Sequence, residues 1–200
     1  MTRDKESTKQ RLIDAVGTIL SAHGFQGIGI NAIAKEAGVD KVLIYRYFGN
    51  LDGLLEAFAR QKDYFSNLSQ TPGARGRIST VADAAETAKQ IFLGQLRQIR
   101  SSPELQEVLL WELNQKNAVT DEIAAVREAQ GTAVLETMRT VVGRQDTDLA
   151  AVANLLVGGI YYLVLRSRTV DIFNGIEFNR EEGWQRIENA ICKIIDTFMV

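Results

Sequence analysis

Apolar side chains recur with a period near 3.6 along most of this chain. In residues 8–23, TKQRLIDAVGTILSAH, they fall at Leu12, Ile13, Val16, Ile19, Leu20 and Ala22, which predicts a helix with Thr8 as its N-cap. Gly24 follows as the residue that closes such a helix, and Gly27 and Gly29 mark a short loop. The spacing then predicts a short helix over 30–37 stopped by Gly38, and a second over 41–48 capped by Asp40. Gly49-Asn50 reads as a turn, with Asn50 as the N-cap of a helix from Leu51 to about Leu68. Residues 70–78, QTPGARGRI, hold Pro72, Gly73 and Gly76 and predict a linker. Beyond it, helices are predicted over 79–101, 104–115, 120–142, 147–168 and 181–199. The breaks fall at Ser101-Ser102-Pro103, around Asn117, at Gly143 and between Thr169 and Asn179. No alternating strand pattern of useful length appears, and the expected class is all-α.

Two of these helices carry long apolar faces. Leu149 to Leu165 contains no charged residue, yet it is shorter than the roughly 20 residues a membrane span needs, and Arg166 and Arg168 follow at once. Ala150, Ala151, Ala153, Gly158 and Gly159 make it a helix that others can approach closely, buried all round in a bundle core or a dimer interface. The last helix places Trp184, Ile187, Ile191, Ile194, Ile195 and Phe198 to pack beside it.

Composition narrows the chemistry. A 200-residue chain that is 46% hydrophobic can bury a core without staples. Cys192 and His23 are the sole cysteine and histidine, which excludes a disulfide framework and a zinc site built from them. His23 fits the C-terminal end of its helix, and Cys192 fits a buried, inert thiol. No nucleophile elbow, phosphate loop or metal-ligand spacing appears, so no catalytic residue, metal or cofactor is expected and an enzyme is disfavoured. Net charge is −2, split as nine Lys/Arg against seven Asp/Glu over 1–62 and fourteen against eighteen over 63–200. That asymmetry alone does not point to nucleic acid. The polar start, without an apolar signal segment, leads to an expected cytoplasmic location.

The sharpest pattern is INAIAKEAGVDKVLIYRYF, residues 30–48. A helix-turn-helix needs a small residue where its two helices cross, met by Ala34, and a turn residue that tolerates positive φ, met by Gly38. Ile33, Ala37, Val39, Ile44 and Tyr47 fit the apolar pins that hold both helices to a core. An ordinary helical hairpin with a glycine turn fits the same pattern.

The flanks add to this. AIAKEAGV followed by YRYF and the Leu54-Leu55 pair, set within residues 8–58, resembles the N-terminal domain of TetR-type transcriptional regulators. The resemblance implies a three-helix helix-turn-helix DNA-binding domain over residues 1–50. A larger helical dimerisation and ligand-binding bundle would follow over 51–200. It implies that Lys41, Val42 and Leu43 begin the recognition helix that enters the major groove, with Tyr45 and Arg46 on or beside the DNA-facing side. Lys41 and Arg46 would neutralise phosphates or read guanine edges, and the Tyr45 hydroxyl would reach a phosphate, whereas Tyr47 belongs to the core. Asn31 and Lys35 would touch the DNA backbone from the preceding helix. The helices starting near Ile30 and Leu51 would offer amides to phosphates. Phe25 and Phe48 are expected in the core. Three positions depart from the family's habit. Gly29 and Asp40 stand where Ser or Thr caps are usual, and Leu51-Asp52 where a Lys is usual. Modest nonspecific affinity and an unusual operator are the expected consequences.

The implied function is that of a homodimeric, double-stranded-DNA-binding regulator, a repressor released from a near-palindromic operator by a small apolar or aromatic effector. The alternative from another class is a helical protein-interaction module that binds no DNA. Effector sites of this kind are mostly apolar with a few polar groups for orientation. Phe92, Leu96, Leu110, Trp111, Asn114, Asn154, Tyr161 and Tyr162 are the candidate lining residues, although each aromatic also fits a core position.

Overall fold

The computed structural model describes residues 2–62, 78–142 and 148–199. The elements in chain order are α1 (Thr2–His23), a 3-10 turn (Phe25–Gly27), α2 (Ile30–Ala37), α3 (Val42–Phe48), α4 (Leu51–Gln61), α5 (Val81–Ser101), α6 (Pro103–Asn114), α7 (Ala118–Val142), α8 (Leu149–Arg166), β1 (Ile172–Phe173), β2 (Ile176–Glu177) and α9 (Glu181–Met199). The all-α expectation holds, and most helix bounds lie within two residues of those read from the sequence. Most of the expected linker at 70–78, the break at Gly143 and the continuation of the Leu51 helix past Lys62 lie outside the described residues. Packing divides the chain into two compact units, Met1–Tyr64 with Ser102–Val126 and Phe65–Ser101 with Arg127–Val200.

In the first unit α1 is the central strut. Its Leu12, Val16 and Leu20 are completely buried, and it packs against α2, α4 and α6. The helix starts earlier than its expected Thr8 cap. Thr8 sits inside it, donating from Oγ1 to the Asp4 carbonyl at 2.8 Å. No Gly or Pro interrupts residues 2–8, and Asp4 in the first turn complements the helix dipole. Helix α6 begins with Pro103 at N1, where a missing N–H costs nothing, and Ser102 Oγ accepts from Leu105 N at 3.1 Å.

In the second unit α5 packs against both α9 and α8. Along the α5–α9 seam, Arg97 holds Glu188 with two parallel bonds of 2.9 and 2.8 Å, Lys89 pairs with Asp196 at 2.6 Å and Arg100 pairs with Glu181. The Glu181 carboxyl lies below its usual range because Arg100 hydrogen-bonds its ionised form. Trp184 is buried as expected, stacked on Phe178 with ring centroids 5.0 Å apart, and its indole N–H donates to the Phe178 carbonyl at 2.8 Å.

Three features of this unit differ from what the sequence predicts. The break between Thr169 and Asn179 folds as an antiparallel hairpin, pairing Ile172 with Glu177 and Phe173 with Ile176. Its turn is Asn174-Gly175, both at positive φ (47° and 76°), the dipeptide that suits a two-residue hairpin loop. Within the single chain helix α8 is not buried all round, as a bundle-core helix would be: Leu149, Leu156, Ile160 and Val164 are its buried residues. Leu155 is 77% exposed and Tyr162 53% exposed. Cys192 is half-buried rather than fully enclosed.

Candidate functional site

The helix-turn-helix is built from the turn outwards. Gly38 adopts the left-handed conformation (φ 63°, ψ 38°), which ends α2 and lets its N–H bond back to the Lys35 carbonyl. Ile33, Ala34 and Ala37 bury one side of α2, and Ile44 pins α3 with no exposed surface. Asp40 caps α3 as expected, its Oδ1 accepting from Val42 N at 2.8 Å. Asn50 caps α4, accepting from Gly53 N at 2.8 Å. Gly29 precedes α2 in an extended conformation without a side-chain cap, so the first-turn amides of α2 have no side-chain acceptor there.

The sequence did not reveal one contact of this motif. The Arg11 guanidinium, on α1, donates to the carbonyls of Ala37 and Gly38. A cation is thus placed on the negative end of α2, and the turn is tied to the central strut. Residues 26 and 27 positions apart meet here, and no local pattern announces that.

With Ile44 facing inwards, α3 presents Val42, Tyr45 and Arg46 outwards. Lys41, Tyr45 and Arg46 are exposed, Val42 is 60% exposed, and Leu43 is half-buried. Asn31 and Lys35 are exposed on α2, and Lys41 Nζ donates to Asn31 Oδ1 at 3.4 Å. Tyr47 is half-buried rather than core, with the Lys5 ammonium 5.8 Å from its ring centroid. Phe25 and Phe48 are also half-buried instead of core. Phe25 lies over Trp111 with nearly parallel rings, 6.4 Å between centroids, and Phe48 ends α3.

The eight candidate ligand residues do not converge on one place. A cavity of about 290 Å³ in the second unit is lined by Phe92 and Asn154, together with Ile91, Gln95, Leu135 and Phe198 among others. Leu96 is completely buried. Tyr161 reaches the cavity wall indirectly, its hydroxyl accepting from Gln95 Nε2 at 3.2 Å. Tyr162 turns to the surface and meets Phe173 edge-on at 5.6 Å. Leu110, Trp111 and Asn114 lie on α6, in the first unit. Trp111 is a core residue there, 4% exposed, its indole N–H donating to Gln115 Oε1 at 3.2 Å. Gln95 escaped the sequence reading because a glutamine within a helix carries no binding signal of its own.

Comparison with known proteins agrees with this geometry. Residues 12–58 match the model for bacterial regulatory proteins of the tetR family. The chain is 40% identical over 60 residues to an HTH-type transcriptional repressor of Streptomyces coelicolor, covering 30% of this chain and 31% of that protein. The match therefore spans about a third of that relative's length. Over the whole fold, a TetR-family transcriptional regulator from Rhodococcus sp. superposes with a TM-score of 0.71, 18% identity and coverage of 96% of this chain and 99% of that one. The transcriptional regulator FadR from Bacillus subtilis, crystallised with stearoyl-CoA, superposes with a TM-score of 0.62 at 16% identity, over 93% and 95% of the two chains. At such identities these two structures establish the fold alone. The helix-turn-helix, with its turn glycine, buried pins and exposed α3 residues, is thus matched in sequence over residues 12–58 by the tetR-family model, and it is carried on a helical architecture of the kind seen in TetR-family structures.

Proposed function

We propose that this chain is a dimeric, DNA-binding transcriptional regulator of the bacterial cytoplasm, a repressor that a small-molecule effector releases from a near-palindromic operator. The observation that carries the reading is the two-sidedness of α3. Ile44 fixes it to the core, while Lys41, Val42, Tyr45 and Arg46 stand in solvent beside Asn31 and Lys35. That is the arrangement a recognition helix needs to enter a major groove with its N-terminal end leading. Lys41, Arg46 and Lys35 supply the cations for phosphate or guanine, and Tyr45 supplies a hydroxyl. Residues 1–50 form the DNA-reading part, and residues 51–200 the effector-binding and dimerising part.

The exposed apolar side of α8 supports dimerisation. Leu155 and Tyr162 on α8, with Ile194 and Phe198 on α9, are large apolar groups left in water by the single chain. The helix is long and apolar enough to cross a membrane by composition. Its buried side, however, is occupied by the second unit's own core, and the small residues on the other side suit close approach of a second copy. A symmetric dimer presents two α3 helices to successive major grooves, which is why an inverted repeat is the expected operator. A ligand in the second unit's cavity acts only insofar as it binds one dimer geometry better than another.

Selection from a random duplex pool with the purified chain at two salt concentrations tests this. Recovery of an inverted repeat, weaker at the higher salt, is expected. No enrichment at low salt from a folded dimer would overturn the DNA-binding reading in favour of a protein-interaction module.

A further inference from the structure

The cavity of the second unit has a defined polar requirement. Gln95 lines it from α5 and is only 7% exposed. The amide nitrogen of Gln95 is used, donating to the Tyr161 hydroxyl. Its Oε1 is buried and has no hydrogen-bond partner among the described residues. A buried acceptor without a donor is unfavourable, and a ligand that brings an O–H or N–H to it relieves that cost. The remaining wall is largely aliphatic and aromatic, including Ile91, Phe92, Leu135, Leu156 and Phe198.

Charge sets the second constraint. Arg127, Glu128, Glu136 and Arg139 are the charged lining residues, two of each sign. Glu128, Glu136 and Arg139 are exposed, and the Arg127 guanidinium lies 5.9 Å from the Tyr161 ring centroid. An anionic head group therefore meets no net positive field, and in the apolar interior it would be desolvated without compensation. The volume, about 290 Å³, sits at the small end for ligand pockets and suits a compact molecule.

We infer that the cavity selects a compact, uncharged, apolar molecule bearing one hydroxyl, an alkylphenol or a cyclic alcohol, whose O–H donates to Gln95 Oε1. This rests on the reading of the second unit as the effector-binding part, and it specifies the class of effector.

Calorimetric titration of the full-length chain, without DNA, with 4-propylphenol, propylbenzene and 4-propylbenzoate tests it. The phenol is expected to bind about tenfold more tightly than propylbenzene, the worth of one neutral hydrogen bond to a buried acceptor, with the benzoate weakest. In Gln95→Met the phenol and propylbenzene should become equal, with propylbenzene at least as tight as in the wild type. Equal wild-type affinities, a preference for the benzoate, or no binding of the phenol overturns the inference. The wild-type ratio decides the matter even if the variant does not fold. Because no DNA is present, failure here leaves the operator selection untouched, and failure of that selection leaves this ratio to be read independently.

Discussion

The proposed function places the two parts of this protein on different kinds of surface. In the helix-turn-helix, the working face is the outward side of a seven-residue helix, and the residues that build it are neighbours in sequence. In the second unit, the proposed effector site is a hollow whose polar point comes from Gln95 and Tyr161, 66 positions apart. A short motif fixes the first because turn, pin and exposed face fall within one window of spacing. The second depends on how four long helices happen to leave a gap, which no window contains.

Breaking the first part at its pin should have the largest effect. Ile44→Ala empties a completely buried position and is expected to cost about 2–5 kcal/mol by urea unfolding, with DNA binding lost alongside. A cost below about 1 kcal/mol would mean that α3 is held by something other than Ile44. Next comes the apolar side of α8. Leu155→Glu, at a position 77% exposed in the single chain, should leave the unfolding midpoint near wild type at concentrations where the chain is monomeric. It should weaken the dimer by at least about 2 kcal/mol, read as a shift to monomer in sedimentation, if Leu155 is a hot spot of the interface. Unchanged sedimentation would place the interface elsewhere.

Smaller effects sharpen the comparison. Gly38→Val forces a β-branched residue to φ 63° and should cost about 1–2 kcal/mol or more, whereas Gly29→Ser, at an extended position with open space around it, should raise stability by a few tenths of a kcal/mol. Thermal unfolding of the two variants checks both signs, and a stabilising Gly38→Val would refute the turn geometry. The smallest effect belongs to the second unit's rim. Glu181 has a lowered carboxyl pKa because of Arg100, so its contribution is present above the ordinary carboxylate range and is lost as pH falls through the lowered value. Both side chains reach solvent, so Glu181→Gln should only flatten slightly the acid limb of stability against pH. A steeper acid limb in the variant would reverse the sign.

The same contrast explains what the sequence made legible. Gly38, Ala34, Ile44 and the Asp40 and Asn50 caps act within a few residues of themselves, and their spacing carried the motif. Arg11 acts across 26 residues, and nothing near it marks it as a clamp on the turn. The hairpin at 172–177 had an Asn-Gly signal, but two-residue strands are too short to show alternation. Of the eight ligand candidates, Phe92 and Asn154 reach the cavity while Trp111 serves the first unit's core, because an apolar helix face does not say which neighbour it will bury against. Helix α8 is apolar on a side that the single chain leaves exposed, since an uncharged helix face does not say whether its own chain covers it.

The most direct test of a DNA-reading α3 is equilibrium binding of the selected duplex across a salt series, for the wild type and for Lys41→Ala and Arg46→Ala. Each variant should fold as stably as the wild type to within about 0.5 kcal/mol, bind more weakly, and lose about one unit of slope in log affinity against log salt for each phosphate contact removed. Wild-type affinity and slope in both variants would contradict the assignment of α3 as the helix that meets DNA.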